Sequence, residues 1–510
     1  MTRFFISGIF VLLLCQVSRA QQKVNAQVIQ EKQPLADQGN GYYKNPIFPG
    51  NYGDPSFVTV GEDYYIGFSR GNGFMIWHSK DLINWKPIAR HTLPKAYNTV
   101  WAIDLQYFDG LFHVYMPIRQ YPGKTDIPFG NYVVTSPSPS GPWSDPIDLE
   151  IKKPGGDYTG IDPGFISTPA GEKYLYVSHG WVVKLNKSGT KAISDARKVY
   201  TGWDYPATWD VECKCLESPK LFKKERYYYL VSAQGGTNGP STAHMTVVAR
   251  SESPTGPWVN SPYNPLTRTY SQNEPFWHQG HGTVFQAADK RWWTVYHGRL
   301  NGFEKMGRPT LLMPVEWTED DWPVIKDQLR PGGFLEIPVG EKITHGMPLS
   351  DPFSAGKIGL QWNGDATTFE NLNVTTDGLK TVENGDWEIW QYAVNKSFEV
   401  SVKLMGVSAG GKAGIKLGTT GICTDGENVK FADGPPWRLH QNMYPITPGK
   451  AVWLRIRNLK KDLSFYLSRD GETWEKFNSS VRSDDSYKII LFSTGDSPVI
   501  FKDFKYQGIE

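Results

Sequence analysis

The chain has 510 residues, too long for one compact domain of ordinary size, so at least two domains are expected. Lysine plus arginine (54) nearly balances aspartate plus glutamate (52), and the resulting net charge of +2 gives no basic footprint for nucleic acid or an anionic membrane. Aromatic residues make up 14% of the chain, beside 51 glycines and 36 prolines, which predicts an all-β protein of short strands and turns rather than long helices.

The first twenty residues have the pattern of an export signal. Arg3 gives a positive start, residues 4–14 are apolar, and residues 18–20 have the small-x-small form of a cleavage site. The apolar run is too short to span a bilayer, and no later stretch approaches eighteen consecutive apolar residues. We therefore expect an exported protein, periplasmic or extracellular, without a transmembrane segment. Cys15 could carry a lipid, but the residue before it is not the small one that lipid attachment favours.

An internal repeat follows a short linker at residues 21–40. Each unit begins with a polar residue and an apolar stretch, and an aromatic strand comes ten to twelve residues later. The five opening residues are Asp54, Asp104, Asp162, Glu217 and His281. A period of 50 to 64 residues with Gly, Pro and Asp turns is typical of a four-stranded blade, so residues 41–331 are predicted to form a five-bladed β-propeller. The alternative, two unrelated β-sandwiches, does not account for five matched units.

The opening residues of the repeats predict a catalytic site. In a propeller they would lie at the start of the innermost strands and converge on one end of the central channel. Two carboxyl groups facing each other can break a glycosidic bond, one protonating the leaving oxygen and the other activating water, while a third raises the pKa of the acid. The competing interpretation is a calcium or zinc site. Against it, the carboxyls are spread over separate blades, and neither HExxH nor EF-hand spacing occurs.

Two closely spaced cysteines lie just before Glu217, the opening residue of the fourth repeat. Cys213 and Cys215 are two residues apart and would share one face of a strand, so a metal or redox site is conceivable. No further cluster of cysteine and histidine supports such a site. We therefore expect buried structural thiols here.

The repeat stops near Gly332, and after a linker at residues 332–349 a second domain is predicted at residues 350–510. Six stretches there alternate polar and apolar side chains with period two and are separated by Gly, Asp and Asn turns, as in a β-sandwich or jelly roll. These stretches are residues 398–407, 412–420, 451–459, 463–471, 487–495 and 499–506.

Several motifs within residues 45–324 resemble glycoside hydrolase family 43, and they occur in the right order at blade-like intervals. The motifs are Asn45-Pro46-Ile47-Phe48-Pro49-Gly50, Gly53-Asp54-Pro55-Ser56, Asp63-Tyr64-Tyr65-Ile66, the stretch from His78 to Trp85, and Gly280-His281-Gly282. The chain looks closest to the β-xylosidase and α-L-arabinofuranosidase branch, whose members often carry a concanavalin-like sandwich after the propeller. Asp351-Pro352-Phe353-Ser354 is similar to the opening of that appendage.

The resemblance implies an inverting mechanism with three acidic residues in named roles. Asp54 matches the general base that deprotonates water, Asp162 matches the carboxylate that tunes and orients the acid, and Glu217 matches the general acid. Asp104 has the corresponding position in its repeat but matches no acid or base, so we expect it to have a structural role.

The resemblance also implies three substrate-binding residues. Trp101 matches a sugar-stacking tryptophan, and Arg308 resembles the arginine that binds sugar hydroxyls. His281 resembles a histidine at the floor of the pocket, which touches substrate in some relatives and helps to hold a central calcium in others. No cofactor is therefore expected to be required, and a structural calcium is left open. The sequence assigns no metal ligands and no oligomeric state.

The sequence thus predicts an exported, inverting, exo-acting glycoside hydrolase. Its expected partner is an oligo- or polysaccharide, from which it would release terminal xylose, L-arabinofuranose or both; xylan, arabinoxylan and arabinan are the expected polymers. Three alternatives stay open. The same fold could serve an endo-arabinanase or a galactofuranosidase, the propeller could bind carbohydrate without catalysis, or the C-terminal sandwich could be a carbohydrate-binding module.

Overall fold

The computed structural model describes most of the chain and divides it into two compact units. The described residues are 27–94, 96–97, 99–119, 129–354, 356–364, 368, 373–381, 386–408, 410–433, 443–481 and 486–509. The export-signal pattern and Cys15 lie outside them. One unit is Leu35–Ile83 with Pro87–Glu341; the other combines the residues from Lys342 onwards with Asn84–Lys86 and the described residues up to Pro34. Within the described ranges, every helix is too short or too polar to cross a membrane.

The first of these units contains five antiparallel sheets of four or five strands, one after another along the chain. The predicted five-bladed β-propeller is confirmed. Blade one comprises Ser56–Val60, Asp63–Arg70, Gly73–Ser79 and Lys86–Thr92. Blade two comprises Thr99–Val100, Asp104–Phe108, Leu111–Arg119, Gly130–Ser136 and Ile147–Asp148. Blade three comprises Gly164–Ser167, Lys173–Val177, Trp181–Leu185 and Arg197–Lys198.

The remaining blades contain the longest inner strands. Blade four comprises Cys213–Lys224, Tyr227–Gly235, Met245–Ser251, Val259–Asn260 and Thr267–Arg268. Blade five comprises Phe276–Gln286, Trp292–Leu300, Thr310–Trp317 and Pro323–Ile325. Short 3-10 turns occur at Ser178–Gly180, Glu304–Met306 and Lys326–Gln328.

The core of the propeller lies between neighbouring blades, because both faces of each sheet carry apolar side chains. Blades one and two meet through residues that include Phe74, Ile76, Leu105 and Val114. Equivalent clusters join blade two to three, three to four, and four to five. Packing on both faces removes these apolar side chains from water and fixes the angle between neighbouring blades. The inner strands are thereby held in place around the central channel.

The two ends of the propeller unit are tied together. Tyr42–Lys44 pairs antiparallel with Phe334–Glu336. The side chain of Asn45 also holds the backbone of Leu312 in blade five, donating to its carbonyl and accepting from its N–H, each at 2.9 Å. The segment that precedes the predicted catalytic Asp54 is therefore held against blade five by the contacts of Asn45.

A buried ion pair joins four blades near the channel. Lys220 of blade four donates to Asp104 of blade two at 2.7 Å and to the carbonyl of Pro163, before blade three, at 3.0 Å. Asp104 in turn accepts from Ser56 of blade one and from the backbone N–H of Phe165 in blade three. Since both charged side chains are almost fully buried, this pairing gives Asp104 the structural role that the sequence predicts.

The second unit is a sandwich of two antiparallel sheets, as predicted. Its seven-stranded sheet has the order Asn373–Thr375, Gly378–Lys380, Ile500–Gly508, Phe398–Met405, Val452–Leu459, Asp462–Ser468 and Glu475–Val481. Its six-stranded sheet has the order Trp387–Tyr392, Lys488–Thr494, Lys412–Leu417, Thr420–Thr424, Asn428–Phe431 and Tyr444–Pro445. Every second side chain is buried along Phe398–Met405 and along Val452–Leu459, which is the period-two pattern read from the sequence.

The prediction of free thiols at Cys213 and Cys215 is wrong, because the two residues form a disulfide. Residues two apart on a regular strand are too far apart for this bond. Here the strand is irregular between Cys213 and Glu217, and Cys215 has a left-handed backbone with φ of 37°. The Cα atoms are therefore only 5.2 Å apart, within the range of disulfides.

Candidate active site

A cavity of about 380 Å³ in the propeller unit brings all six predicted site residues together. Its lining consists of Asp54, Ser69, Val100, Trp101, Ala102, Ile161, Asp162, Glu217, Thr237, His281, Arg299 and Arg308. Asp104, the one repeat-opening residue that matched no acid or base, is not among them. The acids come from blades that are far apart in sequence, so only the propeller topology makes them neighbours.

The backbone at the site repeats one unusual conformation. Asp54, Asp162 and His281 all have left-handed φ angles, of 58°, 54° and 56°, and so does Ser218 beside Glu217, at 53°. Aspartate and histidine tolerate this region better than most residues do, but it remains unfavourable for side chains with a Cβ. The conformation occurs at three of the five repeat-opening residues and next to a fourth, which indicates that the fold imposes it there.

The approach of Asp54 to blade five follows from backbone pairing. Phe48 and Thr310 form an antiparallel bridge, and the Tyr52 N–H donates to the carbonyl of Arg308 at 3.0 Å. A Cβ at position 53 would come within 2.6 Å of Arg308 Nε, so glycine is needed for the arginine side chain to lie against the chain there. The Gly-Asp-Pro-Ser motif therefore brings the carboxylate to the arginine.

Three basic side chains surround the carboxylate of Asp54. Arg308 donates to both of its oxygens, and Nδ1 of His281 and of His297 lie 3.1 and 3.2 Å from Oδ1. Burial alone would raise the pKa of Asp54, but Arg308 and the two imidazoles together hold it well below its usual range. Asp54 is therefore ionised at neutral pH, as a group that accepts a proton must be.

The other two acids form a close pair. One carboxylate oxygen of Asp162, one of Glu217 and a ring nitrogen of His281 all lie within 4.8 Å of one another. The backbone N–H of Ser218 donates to Asp162 Oδ2 at 3.2 Å. Because an N–H donor stabilises a carboxylate rather than a carboxylic acid, this contact favours a charged Asp162 and leaves the proton of the pair on Glu217.

The pKa values of the pair are shifted upwards. Burial, followed by the charge of Asp54, raises the pKa of Asp162 to about 7, although Lys220 and the Ser218 N–H oppose the shift. Burial and the charges of Asp162 and Asp54 raise the pKa of Glu217 well above its usual range. The pocket therefore holds an ionised carboxylate and a protonated one at the same pH, as a base and an acid acting together require.

His297 is a site residue that the sequence did not indicate. It is fully buried on the second strand of blade five, contacts Asp54, and stacks on His244 with ring centroids 5.2 Å apart. Burial lowers the pKa of His297 to about 4 and that of His281 to about 3, so both rings are neutral at pH 7. A Cβ at Gly280 would lie 2.2 Å from the His244 ring, which explains the glycine before His281.

Trp101 provides an exposed ring at the cavity. Its side chain is 45% exposed although it packs on Phe129 at 4.7 Å, so part of the indole remains open to solvent. An exposed aromatic face beside carboxylates is a suitable platform for the C–H face of a sugar. The walls also include Ser69, Thr237 and Arg299, for which neither the repeat nor the family motifs gave a signal.

Two clusters of carboxylates and histidines at the site offer part of the ligand set that calcium takes. One cluster offers carboxylate oxygens from Asp162 and Glu217 with a nitrogen of His281; the other offers Asp54 with nitrogens of His281 and His297. Calcium takes six to eight oxygen ligands, and here the oxygens are few and both oxygens of Asp54 already accept from an arginine.

Comparisons with known proteins found similar sequences. The sequence profile described as Glycosyl hydrolases family 43 matches residues 43–323. The non-reducing end α-L-arabinofuranosidase BoGH43B of Bacteroides ovatus is 33% identical, over 63% of this chain and 60% of that protein. A xylan 1,3-β-xylosidase of Vibrio sp is 32% identical, over 58% and 59%. The chain thus spans about 60% of the length of these curated relatives.

Solved structures share the architecture. The protein BlXynB of Bacillus licheniformis superimposes with a TM-score of 0.78, covering 92% of this chain and 100% of that one at 24% identity. The xylan β-1,4-xylosidase of Bacillus halodurans gives a TM-score of 0.76 at 24% identity, covering 91% and 99%. At this level of identity, the likeness shows a shared fold of propeller and sandwich.

Proposed function

The chain belongs to glycosyl hydrolase family 43, and on that basis we propose that it is an exo-acting glycoside hydrolase that releases terminal xylose, L-arabinofuranose or both. The proposed substrates are plant cell-wall glycans such as xylan, arabinoxylan and arabinan. Support for a pentose comes from the relatives, which are named as an α-L-arabinofuranosidase and a xylosidase.

The observation that carries the proposal is the opposed protonation of two carboxyl groups in one cavity. Arg308 is the main group that lowers the pKa of Asp54 and so favours its ionised form, whereas burial and the charge of Asp162 raise the pKa of Glu217 and favour its protonated form. Hydrolysis of a glycosidic bond needs both: a base for the attacking water and an acid for the leaving oxygen. A non-catalytic sugar-binding propeller would have no use for this arrangement.

The proposed reaction is a single displacement with inversion. Asp54 takes a proton from a water molecule as its oxygen attacks the anomeric carbon, and Glu217 gives its proton to the glycosidic oxygen as the carbon–oxygen bond breaks. Asp162 keeps the pKa of Glu217 high by like-charge repulsion. The cycle ends with Asp54 protonated and Glu217 ionised, and proton exchange with solvent restores the starting state. Water is the only co-substrate.

We also propose that the protein is exported, since residues 1–20 have the form of a signal peptide. Mass spectrometry of the mature N-terminus tests this: a start near Gln21 supports export, and an unprocessed Met1 contradicts it. A lipid mass on Cys15 would instead identify a lipoprotein.

Initial rates on aryl glycosides test the activity. The panel carries β-xylose, α-L-arabinofuranose, β-galactofuranose and β-galactose, with Asp54→Asn as the blank. Turnover of one or both pentosides that disappears in the blank is expected. Activity confined to a galactoside would refute the pentose specificity. If none of the aryl glycosides is hydrolysed but arabinan is, exo action is refuted. Proton NMR that detects the retained anomer as the first product would refute inversion.

A further inference from the structure

The cavity wall contains a second arginine that the proposed mechanism does not use. Arg299 lies at the end of the second strand of blade five, where its backbone pairs with Trp277, and it lines the same cavity as Arg308. The two arginines are nine residues apart: Arg299 is on the strand Trp292–Leu300, and Arg308 is in the loop before Thr310–Trp317. Arg299 is partly exposed, so a ligand can reach it.

The two arginines differ in what they bind. The guanidinium of Arg308 is occupied by the two oxygens of Asp54, each 2.6 Å away. Among the described residues, by contrast, no carboxylate lies within ion-pair distance of Arg299 and no protein group accepts a hydrogen bond from its guanidinium, although its Nε is buried. The nearby acid Glu304 accepts instead from the backbone N–H of Gly302.

The buried Nε–H of Arg299, which has no acceptor in the described part of the chain, is costly to the free protein. A buried N–H donor without an acceptor loses the hydrogen bond that it would make to water. Burial, with the like charge of Arg308, also lowers the pKa of Arg299. Both penalties are relieved when a ligand brings a negatively charged acceptor, because a carboxylate can accept two parallel hydrogen bonds from a guanidinium.

We propose that Arg299 binds the carboxylate of an acidic sugar, so that the preferred substrates are pentose-containing oligosaccharides bearing a uronic acid near the bond that is cleaved. This proposal rests on the proposed function, since it names the substrate class for the same cavity. Neutral sugar hydroxyls are weaker acceptors for a charged donor than a carboxylate is. Arg299 is thus a specificity residue, whereas the bond-breaking groups remain the acids described above.

The experiment compares two substrates that differ in one functional group. The first is a xylo-oligosaccharide carrying a single uronic acid; the second is the same oligosaccharide after chemical reduction of the carboxyl group to an alcohol. We expect kcat/KM of the unmodified protein to favour the acidic substrate about tenfold or more, as a charge-assisted hydrogen-bond pair allows. Raising the salt concentration should reduce this ratio.

Variants assign the preference to the residue. In Arg299→Gln the ratio of the two kcat/KM values should fall to about one. Arg299→Lys should retain part of the preference, because lysine keeps the positive charge but cannot donate two parallel hydrogen bonds to the carboxylate. Arg197→Gln, which removes an exposed arginine of blade three, is the control that should keep the full ratio. A ratio of one in the unmodified protein overturns the proposal. A preference for the acidic substrate that survives in Arg299→Gln also overturns the proposal. So does an equal loss of kcat/KM on both substrates, because that result means that Arg299 binds hydroxyl groups.

Failure of the proposed function gives a different result. If neither the aryl pentosides nor the oligosaccharides are hydrolysed, the hydrolase assignment is wrong. Calorimetric titration of the same two oligosaccharides then decides the carboxylate proposal alone. Tighter binding of the acidic oligosaccharide that depends on Arg299 supports it, and equal binding overturns it.

Discussion

Arg308 donates two parallel hydrogen bonds to Asp54, from Nη1 to Oδ1 and from Nη2 to Oδ2, each 2.6 Å long. This fork is among the strongest pairings that an arginine can make with a carboxylate. It lowers the pKa of Asp54 and so favours the charged form, but it also makes the carboxylate a weak base. When substrate is bound, a sugar hydroxyl competes for the hydrogen bonds of Arg308. We therefore expect substrate binding to raise the pKa of Asp54 and make it a stronger base.

Replacing Arg308 with glutamine should move the acidic limb of the pH profile. Asp54 must be ionised to act, and Arg308 lowers its pKa, so loss of the guanidinium raises that pKa and shifts the acidic limb of kcat/KM to higher pH. We also expect kcat/KM at neutral pH to fall about 100-fold, because an electrostatic contact to the reacting groups is lost. Rates of Arg308→Gln between pH 3 and about 8 measure both effects. An acidic limb that stays in place would refute the assigned role; Lys305→Gln, a nearby exposed charge, is the control.

Glu217→Ala should discriminate between leaving groups. A sugar alkoxide must be protonated as it leaves, whereas an activated phenolate needs little help. We expect the loss on xylo-oligosaccharides to exceed the loss on a dinitrophenyl pentoside by about 100-fold or more. Parallel steady-state rates on the two substrates measure the difference. Equal losses would exclude Glu217 as the general acid.

Asp162→Asn should move the basic limb of the profile downwards. Glu217 must be protonated to act, and the charge of Asp162 is, after burial, the largest contribution to its high pKa. Removing that charge lowers the pKa of Glu217, so the basic limb of kcat/KM shifts to lower pH. The measurement is the pH profile on a substrate with a poor leaving group. Asp63→Asn, on the second strand of blade one, is a control that should leave the limb unchanged. A shift to higher pH would contradict the assignment.

Asp104→Leu should destabilise the propeller through its buried partner. Lys220 would be left charged and unpaired beside the channel, at a cost of about 3–5 kcal/mol. The double variant Asp104→Leu with Lys220→Met should recover much of this, because no buried charge remains. Urea unfolding of the three proteins measures the differences. Lys214→Met, which breaks the exposed pair with Asp204, is the control expected to show no change. A double variant no more stable than the single one would contradict the argument.

Repetition and motif order were enough to predict the architecture. Five polar residues open five matched units in the sequence, and the described part of the propeller unit contains five blade sheets in that order. The same pattern placed Asp54, Asp162 and Glu217 in one cavity, because equivalent positions of a radial fold meet at its axis. The separate role of Asp104 came from the family motifs and agrees with its pairing to Lys220.

Other features depend on contacts that a sequence pattern does not record. His297 lies within a buried apolar strand, and only the register with Gly280 brings it to Asp54. The disulfide needed the irregular backbone at Cys215, which no spacing rule predicts. Arg299 stands out only because its guanidinium lacks a partner among the described residues, and that becomes visible only when the surrounding side chains are placed.

At Asp54, Asp162 and His281 the left-handed backbone lowers the stability of the fold, while the side chain at the same position is needed for activity. Each conformation costs on the order of 1 kcal/mol for a residue with a Cβ, and glycine would adopt it without that cost. Glycine at Asp162 would also remove a buried acid whose pKa is raised to about 7. A selection for heat resistance alone would therefore favour inactive proteins here. Engineering for thermal tolerance has to screen for turnover in parallel, or leave these residues fixed and change the blade exteriors instead.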